Sequence, residues 1–256
     1  MLHLLPLLAL ASAPGVPGAP AAPPNLVLIL ADDLGVDLLA AYGEGAAPPC
    51  TPNLDQLAAG GLLFRNAWAS PVCTPSRAQI LTGRYGFRTG GGGNQPGTGL
   101  PLDETTLPEM LSGYSSAALG KWGVGSGLGS SHPNDSGFDH YAGGIGGGLS
   151  DYFSWSKTTN GTSATSATYA TSDTADEAIL AAQSLPQPWF LYVSFNAPHT
   201  RSTSRRRSSA PRARARRASA PRTRPAAASR SRPWSRPWTR RSGACWLASR
   251  RSIHRP

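Results

Sequence analysis

Lysine is almost absent from this chain of 256 residues: Lys121 and Lys157 stand against twenty-two arginines. Acidic residues stop part-way, since all fourteen lie at or before Glu177, and no asparagine follows Asn196. Three cysteines, Cys50, Cys73 and Cys245, are too few for a disulfide framework and leave at least one thiol over. No apolar run approaches the roughly 20 residues that a membrane-crossing helix needs, so no transmembrane segment is expected. These absences divide the chain into two polymers. Residues 1–199 carry six Lys and Arg against fourteen acids, whereas residues 200–256 carry eighteen Arg and no acid. The formal net charge of +10 therefore describes neither part. A nucleic acid or anionic surface as partner is suggested only for the second.

The first residues, MLHLLPLLALASA followed by GVPGAPAAPP, have the build of a secretory signal peptide with a Pro/Ala-rich spacer over residues 1–23. Export is expected, to the medium or periplasm in a bacterium and through the ER, with a lysosomal route open, in a eukaryote. Asn134-Asp135-Ser136 and Asn160-Gly161-Thr162 are then potential glycan acceptors.

Beyond the leader, residues 25–30 (NLVLIL) read as a strand covered on both faces in a parallel sheet, ending at Ala31-Asp32-Asp33. Thr51-Pro52 predicts a capped helix start, with Gly60-Gly61 closing it. Residues 62–68 fit a second strand. Thr74-Pro75 repeats the cap-and-proline signal, so residues 76–82 are expected as a helix stopped by Gly83, with Cys73 at its mouth. A loop over 90–99, a short helix over 107–111 and strands over 115–119 and 189–195 follow, with a helix over 173–183 between the last two. Alternating strands and helices predict an α/β domain with a mostly parallel sheet. In such sheets chemistry gathers at the carboxyl ends of strands. Asp32, Asp33, Lys121 and His199 are each expected there, and Cys73 after a short loop.

The most specific pattern is Cys73-Thr74-Pro75-Ser76-Arg77. The start of a helix offers exposed N–H donors and the positive end of its dipole, which favour a bound anion. Arg77, one turn along, presents a planar fork to a sulfate or phosphate. Taken alone the pattern also fits a buried cysteine and a solvated arginine; a thiolate phosphatase loop is disfavoured because only three residues separate Cys and Arg. Asp32 and Asp33 are hard oxygen ligands suited to calcium or magnesium, or else a helix cap or turn. In isolation Lys121 reads as a solvated lysine and His199 as a structural histidine more readily than as site residues.

The stretch from Pro24 to Gly90 contains PNLVLILADDLG and TPNLDQLAAGGLLFRNAWASPVCTPSRAQILTGRYGFRTG, which resembles the opening of the sulfatase family nearly motif for motif. The resemblance extends over residues 24–199 and implies a domain of the alkaline phosphatase-like type. By this resemblance Cys73 matches the residue converted to formylglycine, whose hydrated aldehyde supplies the nucleophile in sulfate-ester hydrolysis. Asp32 and Asp33 match paired calcium ligands that share the metal with the modified Cys73. Lys121, in Gly120-Lys121-Trp122-Gly123-Val124-Gly125, matches a sulfate-contacting lysine, and His199, in Ala197-Pro198-His199, a sulfate-contacting histidine. Gly123 departs from the family pattern, which has a histidine there. His132 to Asp139 resembles a structural G-F-D stretch. The implied partners are a sulfate ester and a formylglycine-generating enzyme.

After His199 the resemblance ends. Residues 200–256 mix Arg, Pro, Ala, Ser and Trp without an apolar period, a composition that cannot bury a core. A disordered basic tail is expected, and Arg without Lys is what a GC-rich gene yields in a shifted frame. The family's Asp-Asn metal pair and second lysine have no counterpart here, so the fold is read as truncated and the chain as inactive in this form. Two further readings stand beside the sulfatase: a related phosphohydrolase, disfavoured because that superfamily's phosphohydrolases carry Ser or Thr at the position of Cys73, and a polyanion-binding protein acting through the tail. No specific nucleic acid partner is expected.

Overall fold

The computed structural model describes residues 22–93, 98–125 and 127–199. The expected leader, except for residues 22 and 23, and the whole arginine-rich tail therefore lie outside the described residues. Those described fall into two compact units, one of residues 22–36 and 63–199 and one of residues 37–62. In chain order the elements are β1 (Leu26–Asp32), α1 (Pro52–Gly60), α2 (Cys73–Thr82), α3 (Leu107–Met110), β2 (Ser115–Gly120), α4 (His132–Asp135), β3 (His140–Gly143), β4 (Trp155–Thr159), β5 (Thr162–Ser166), α5 (Ala170–Ser184) and β6 (Trp189–Pro198). Among the described residues, six strands form one sheet in the order β1-β6-β2-β3-β4-β5. The pairs β1–β6, β6–β2 and β2–β3 are parallel, and β3–β4 and β4–β5 antiparallel. The mostly parallel sheet is as the sequence predicts.

Each face of the sheet buries its own core. On one, Ala118, Phe190 and Tyr192 pack with Trp122, Phe138, Tyr141 and α2, and Leu26, Leu28 and Leu30 of β1 lean against them. On the other, Leu191, Val193, Ala117 and Leu119 meet Ala181 of α5. Burying each large apolar side chain contributes about 1.5–3 kcal/mol.

Several elements depart from the sequence reading. The first strand was expected to be covered on both faces, but β1 is an edge strand among those described. Its alternate residues Val27 and Ile29 are 52% and 61% exposed, because α5 packs on β6, β2 and β3 instead. Residues 62–68 form no strand, and Phe64 and Trp68 are exposed there. Helix α2 begins at Cys73, three residues earlier than expected, with Val72 as its N-cap residue. Thr74 does not cap it: the hydroxyl donates to the Gly123 carbonyl at 2.8 Å. Thr51 likewise makes no side-chain cap for α1, since its hydroxyl donates to Asp55 Oδ1 at 3.2 Å. The helix stops at Gly83 and Gly61 are found as expected for α2 and α1, and Gly83 is left-handed. Strands β3, β4 and β5 went unread. The turn between β4 and β5 is Asn160-Gly161, both at positive φ, as a two-residue hairpin requires.

The two candidate glycan acceptors meet each other, with Asn134 Nδ2 donating to Asn160 Oδ1 at 3.2 Å. Asn134 Nδ2 also donates to the Phe138 carbonyl at 3.1 Å. No helix among the described residues is long and apolar enough to cross a membrane.

His132, in the stretch read as structural, is fully buried. Trp122 Nε1 donates to its Nδ1 at 2.9 Å, and its Nε2 donates to the Leu100 carbonyl at 2.8 Å. Burial lowers its pKa from the usual histidine value, against the opposing pull of the Leu100 hydrogen bond and Asp135. The folded chain thus binds this proton less readily than the unfolded chain. The stabilising contribution is complete above the unfolded pKa of about 6.5 and is lost as pH falls through the folded value. Thermal unfolding should show a melting temperature that declines as pH falls below about 6.5, with a flatter profile in His132→Gln. Equal slopes for parent and variant would contradict this.

Candidate active site

Backbone irregularities at strand ends aim the chemistry. Strand β1 runs in register with β6 from Leu26 to Ala31, then shifts, so that Asp32 pairs with Pro198. A bulge of this kind re-aims a side chain, and Asp32 turns inward to 5% exposure. Asp33 follows in the left-handed region, with φ 64°, a conformation that Asp and Asn tolerate better than most residues. The end of β2 needs glycine: at Gly120, with φ +87°, a Cβ would stand 2.1 Å from the Ser194 carbonyl oxygen. Lys121 is then pinned by its backbone N–H, which donates to that same carbonyl at 2.7 Å.

These placements bring Asp32, Arg77 and Lys121 together in a buried network. Arg77 Nη2 lies 3.3 Å from Asp32 Oδ1, and Lys121 Nζ donates to Asp32 Oδ2. Arg77 Nη1 donates to the Lys121 carbonyl at 3.0 Å, to the Tyr192 hydroxyl at 3.3 Å and to Ser194 Oγ. Arg77 and Lys121 are 2% and 1% exposed, so both cations are held inside the protein rather than solvated.

A cleft of about 300 Å³ opens between the end of β1 and the start of α2, and Asp32, Asp33, Ser70, Cys73, Ser76 and Arg77 line it. Cys73 is the first residue of α2 and keeps its thiol, whereas Cys50 is disulfide-bonded. The first N–H groups of a helix have no partner within the helix, so this wall offers donors to an anion. A larger cleft, about 480 Å³, is lined by glycines, hydroxyls, Leu149, Ile145 and Trp155 without an ionisable side chain. Of these two clefts, the smaller is the one with charged side chains on its wall.

Of the residues singled out from the sequence, Cys73, Arg77, Asp32 and Asp33 share this cleft, and Lys121 joins them through Asp32. His199 follows β6 immediately and lies with Asp33, its Nε2 3.6 Å from Asp33 Oδ2. Cys73 does not follow a strand, contrary to expectation; a helix start places it.

Asp32 and Asp33 offer hard oxygens of the kind calcium takes, and Asp33 remains 65% exposed at its side chain. Among the described residues there is no group of three or more His, Cys, Asp or Glu side chains that would complete such a site. The donors fit calcium in kind and form a partial set.

Position 123 is tightly constrained. Gly123 has φ +73°, and a Cβ there would lie 3.1 Å from Arg77 Cδ and 3.2 Å from Lys121 Cε. Gly123 thus lets both cationic side chains pass against the backbone. Tyr192, Ser194 and Tyr152 were not read from the sequence as site residues. The Tyr152 hydroxyl lies 2.9 and 2.8 Å from the carbonyls of Asn196 and His199, tying down the segment that carries His199. Its pKa is raised by burial first, then by the charge of Asp32. Burial also raises that of Tyr192, against the pull of Arg77. Tyr192 and Ser194, the two hydroxyls in the apolar run WFLYVSF, were the available signal.

Asp32→Asn should lower unfolding stability by about 3–5 kcal/mol, because it leaves two buried cations without their counter-charge. Asp33→Asn, at an exposed side chain, should cost less than about 1 kcal/mol. Urea denaturation of the two variants checks this ordering, and equal losses would show that Asp32 is not the group on which the cations depend.

The sulfatase family profile matches residues 24–230. The far end of that match lies in the arginine-rich stretch, outside the described residues. Arylsulfatase G of Mus musculus is 47% identical over 126 residues, 47% of this chain and 23% of the relative. Arylsulfatase A of Bos taurus is 48% identical over 128 residues, 47% of this chain and 25% of the relative. Among solved structures, Ps i-CgsB in complex with k-i-k-neocarrahexaose superposes with a TM-score of 0.59 at 32% identity, covering 69% of this chain and 46% of that one. BT4656, in complex with its substrate D-glucosamine-2-N,6-O-disulfate, gives a TM-score of 0.57 at 29% identity, covering 69% of this chain and 35% of that one. The chain spans about a quarter of the length of these curated relatives. With its sheet, its cleft and a family match across most of its length, this chain belongs to the sulfatase family.

Proposed function

We propose that the cleft is a sulfate-ester hydrolase site, in which Cys73, matured to formylglycine, supplies the nucleophile. The observation that carries this reading is that Arg77 shares a cleft with a cysteine at a helix start, and that a second buried cation, Lys121, is joined to it through Asp32. A sulfate ester presents oxygens that gain negative charge as the sulfur–oxygen bond breaks. Fixed cations in a dry site are the groups that stabilise such charge, and removing one donor of this kind typically costs about 10²-fold in rate. Arg77 and Lys121 would hold the sulfate oxygens, with the helix N–H groups behind Cys73 adding donors. His199, anchored by Tyr152, would approach from the Asp33 side and assist the leaving oxygen or the sulfate.

Formylglycine would bring a hydrated aldehyde to position 73, and calcium, held by Asp32 and Asp33, would add positive charge facing the sulfate. The formylglycine-generating enzyme is the implied partner for maturation, and an extracytoplasmic location fits the leader-like residues 1–23. We assign residues 24–199 to the catalytic domain and residues 200–256 to a separate basic tail. BT4656 takes a sulfated glucosamine as substrate, and a sulfated sugar is the substrate class we favour here. Cys73 favours this chemistry over phosphate-ester hydrolysis, the alternative reading for two cations beside a nucleophile.

Co-expression with a formylglycine-generating enzyme should convert Cys73, so that mass spectrometry of the tryptic peptide containing it shows replacement of the thiol by an aldehyde. Retention of the thiol, under conditions that convert a control sulfatase, would remove the nucleophile from the account.

A further inference from the structure

We propose that Tyr192 and Ser194 are positioning residues for Arg77: their hydroxyls fix its guanidinium so that its remaining N–H edge serves the anion beside Cys73. The proposal rests on the sulfate-ester reading of the cleft.

Both residues sit on β6, two apart, and so project on the same face of the sheet. Strand β6 lies between β1 and β2 and is hydrogen-bonded to both, so its backbone is held on two sides. Tyr192 and Ser194 are 1% and 0% exposed. Arg77 Nη1 carries two hydrogens and faces three acceptors, the Lys121 carbonyl, the Tyr192 hydroxyl and Ser194 Oγ. That nitrogen is fully committed to the wall. The rest of the fork, Nη2 and Nε, is left to Asp32 and to whatever occupies the cleft.

The chemical type of the two partners is informative. A carboxylate in their place would hold the guanidinium equally well but would cancel its charge. A carbonyl and two neutral hydroxyls hold its orientation without adding to the one carboxylate, Asp32, that Arg77 already shares with Lys121, and so leave positive charge available to an anion. A long arginine otherwise gives up rotamer freedom on binding, and fixing it beforehand removes that cost. Helix α2 supplies the arginine and β6 its brace, so the orientation depends on two elements far apart in the chain.

A purely structural role makes a different prediction. Hydroxyls that only satisfy a buried cation would change stability and leave the anion affinity of the folded chain unaltered. Calorimetric titration of the 256-residue chain with inorganic sulfate separates the two. Tyr192→Phe and Ser194→Ala should each weaken sulfate binding about tenfold, the effect of losing a hydrogen bond to a charged group. Ser194→Thr, which keeps the hydroxyl, should restore affinity. The side-chain nitrogen resonances of Arg77 should be distinct in the parent and averaged in Tyr192→Phe and Ser194→Ala. Parent-like affinity and parent-like Arg77 resonances in Tyr192→Phe, which loses a single oxygen and keeps the ring packing, would overturn the proposal even if Ser194→Ala failed to fold. Failure of the parent to bind sulfate would instead overturn the sulfate-ester reading, and the positioning role with it.

Discussion

The structure around the cleft depends on one carboxylate. Asp32 accepts from both Arg77 and Lys121, and all three side chains are buried. Two buried cations would repel each other and carry a large desolvation cost without a counter-charge. Asp32 meets that need because the register shift at the end of β1 turns it inward. Gly120 then lets the end of β2 approach the Ser194 carbonyl, and Gly123 lets Lys121 and Arg77 pass against the backbone. The arrangement holds two cations against the single carboxylate of Asp32, while the exposed Asp33 lies with His199.

The core and the site are built from the same strands. Tyr192 packs edge-on against Trp122 in the apolar cluster and presents its hydroxyl to Arg77. Trp122 in turn is fixed by His132, and its backbone N–H donates to the Gly144 carbonyl at 2.9 Å, next to the one that holds Lys121. Packing on one face of the sheet thereby sets the angle of the charged groups at its edge. Preorganisation of this kind lets an enzyme stabilise charge without reorganising at the moment of reaction.

Much of this was legible in the sequence, for identifiable reasons. NLVLIL, SSAAL and WFLYVSF are apolar runs ending in Asp32-Asp33, Lys121 and His199, so strand ends and chemistry could be read together. Cys73 and Arg77 were legible because their helical spacing is local. The edge position of β1 was not legible, since a run that is apolar on both faces looks the same whether or not a helix covers it. Thr74 shows how tertiary contact overrides a local signal: its hydroxyl serves Gly123, 49 residues away, rather than the helix start. Asn160-Gly161 was read only as part of a glycan acceptor, although the same pair is a hairpin turn joining two short polar strands. Tyr192 and Ser194 escaped because their role exists only once α2 and β6 are side by side.

The central claim is that Asp32 gathers Arg77 and Lys121 into an anion site facing Cys73. A crystal structure of the chain grown with inorganic sulfate measures this most directly. The account predicts a sulfate in the cleft, within hydrogen-bond distance of Arg77 and Lys121 and next to residue 73, with Tyr192 and Ser194 still on Arg77. Sulfate bound elsewhere while this cleft holds none, or an Arg77 turned away from Asp32 and β6, would contradict it.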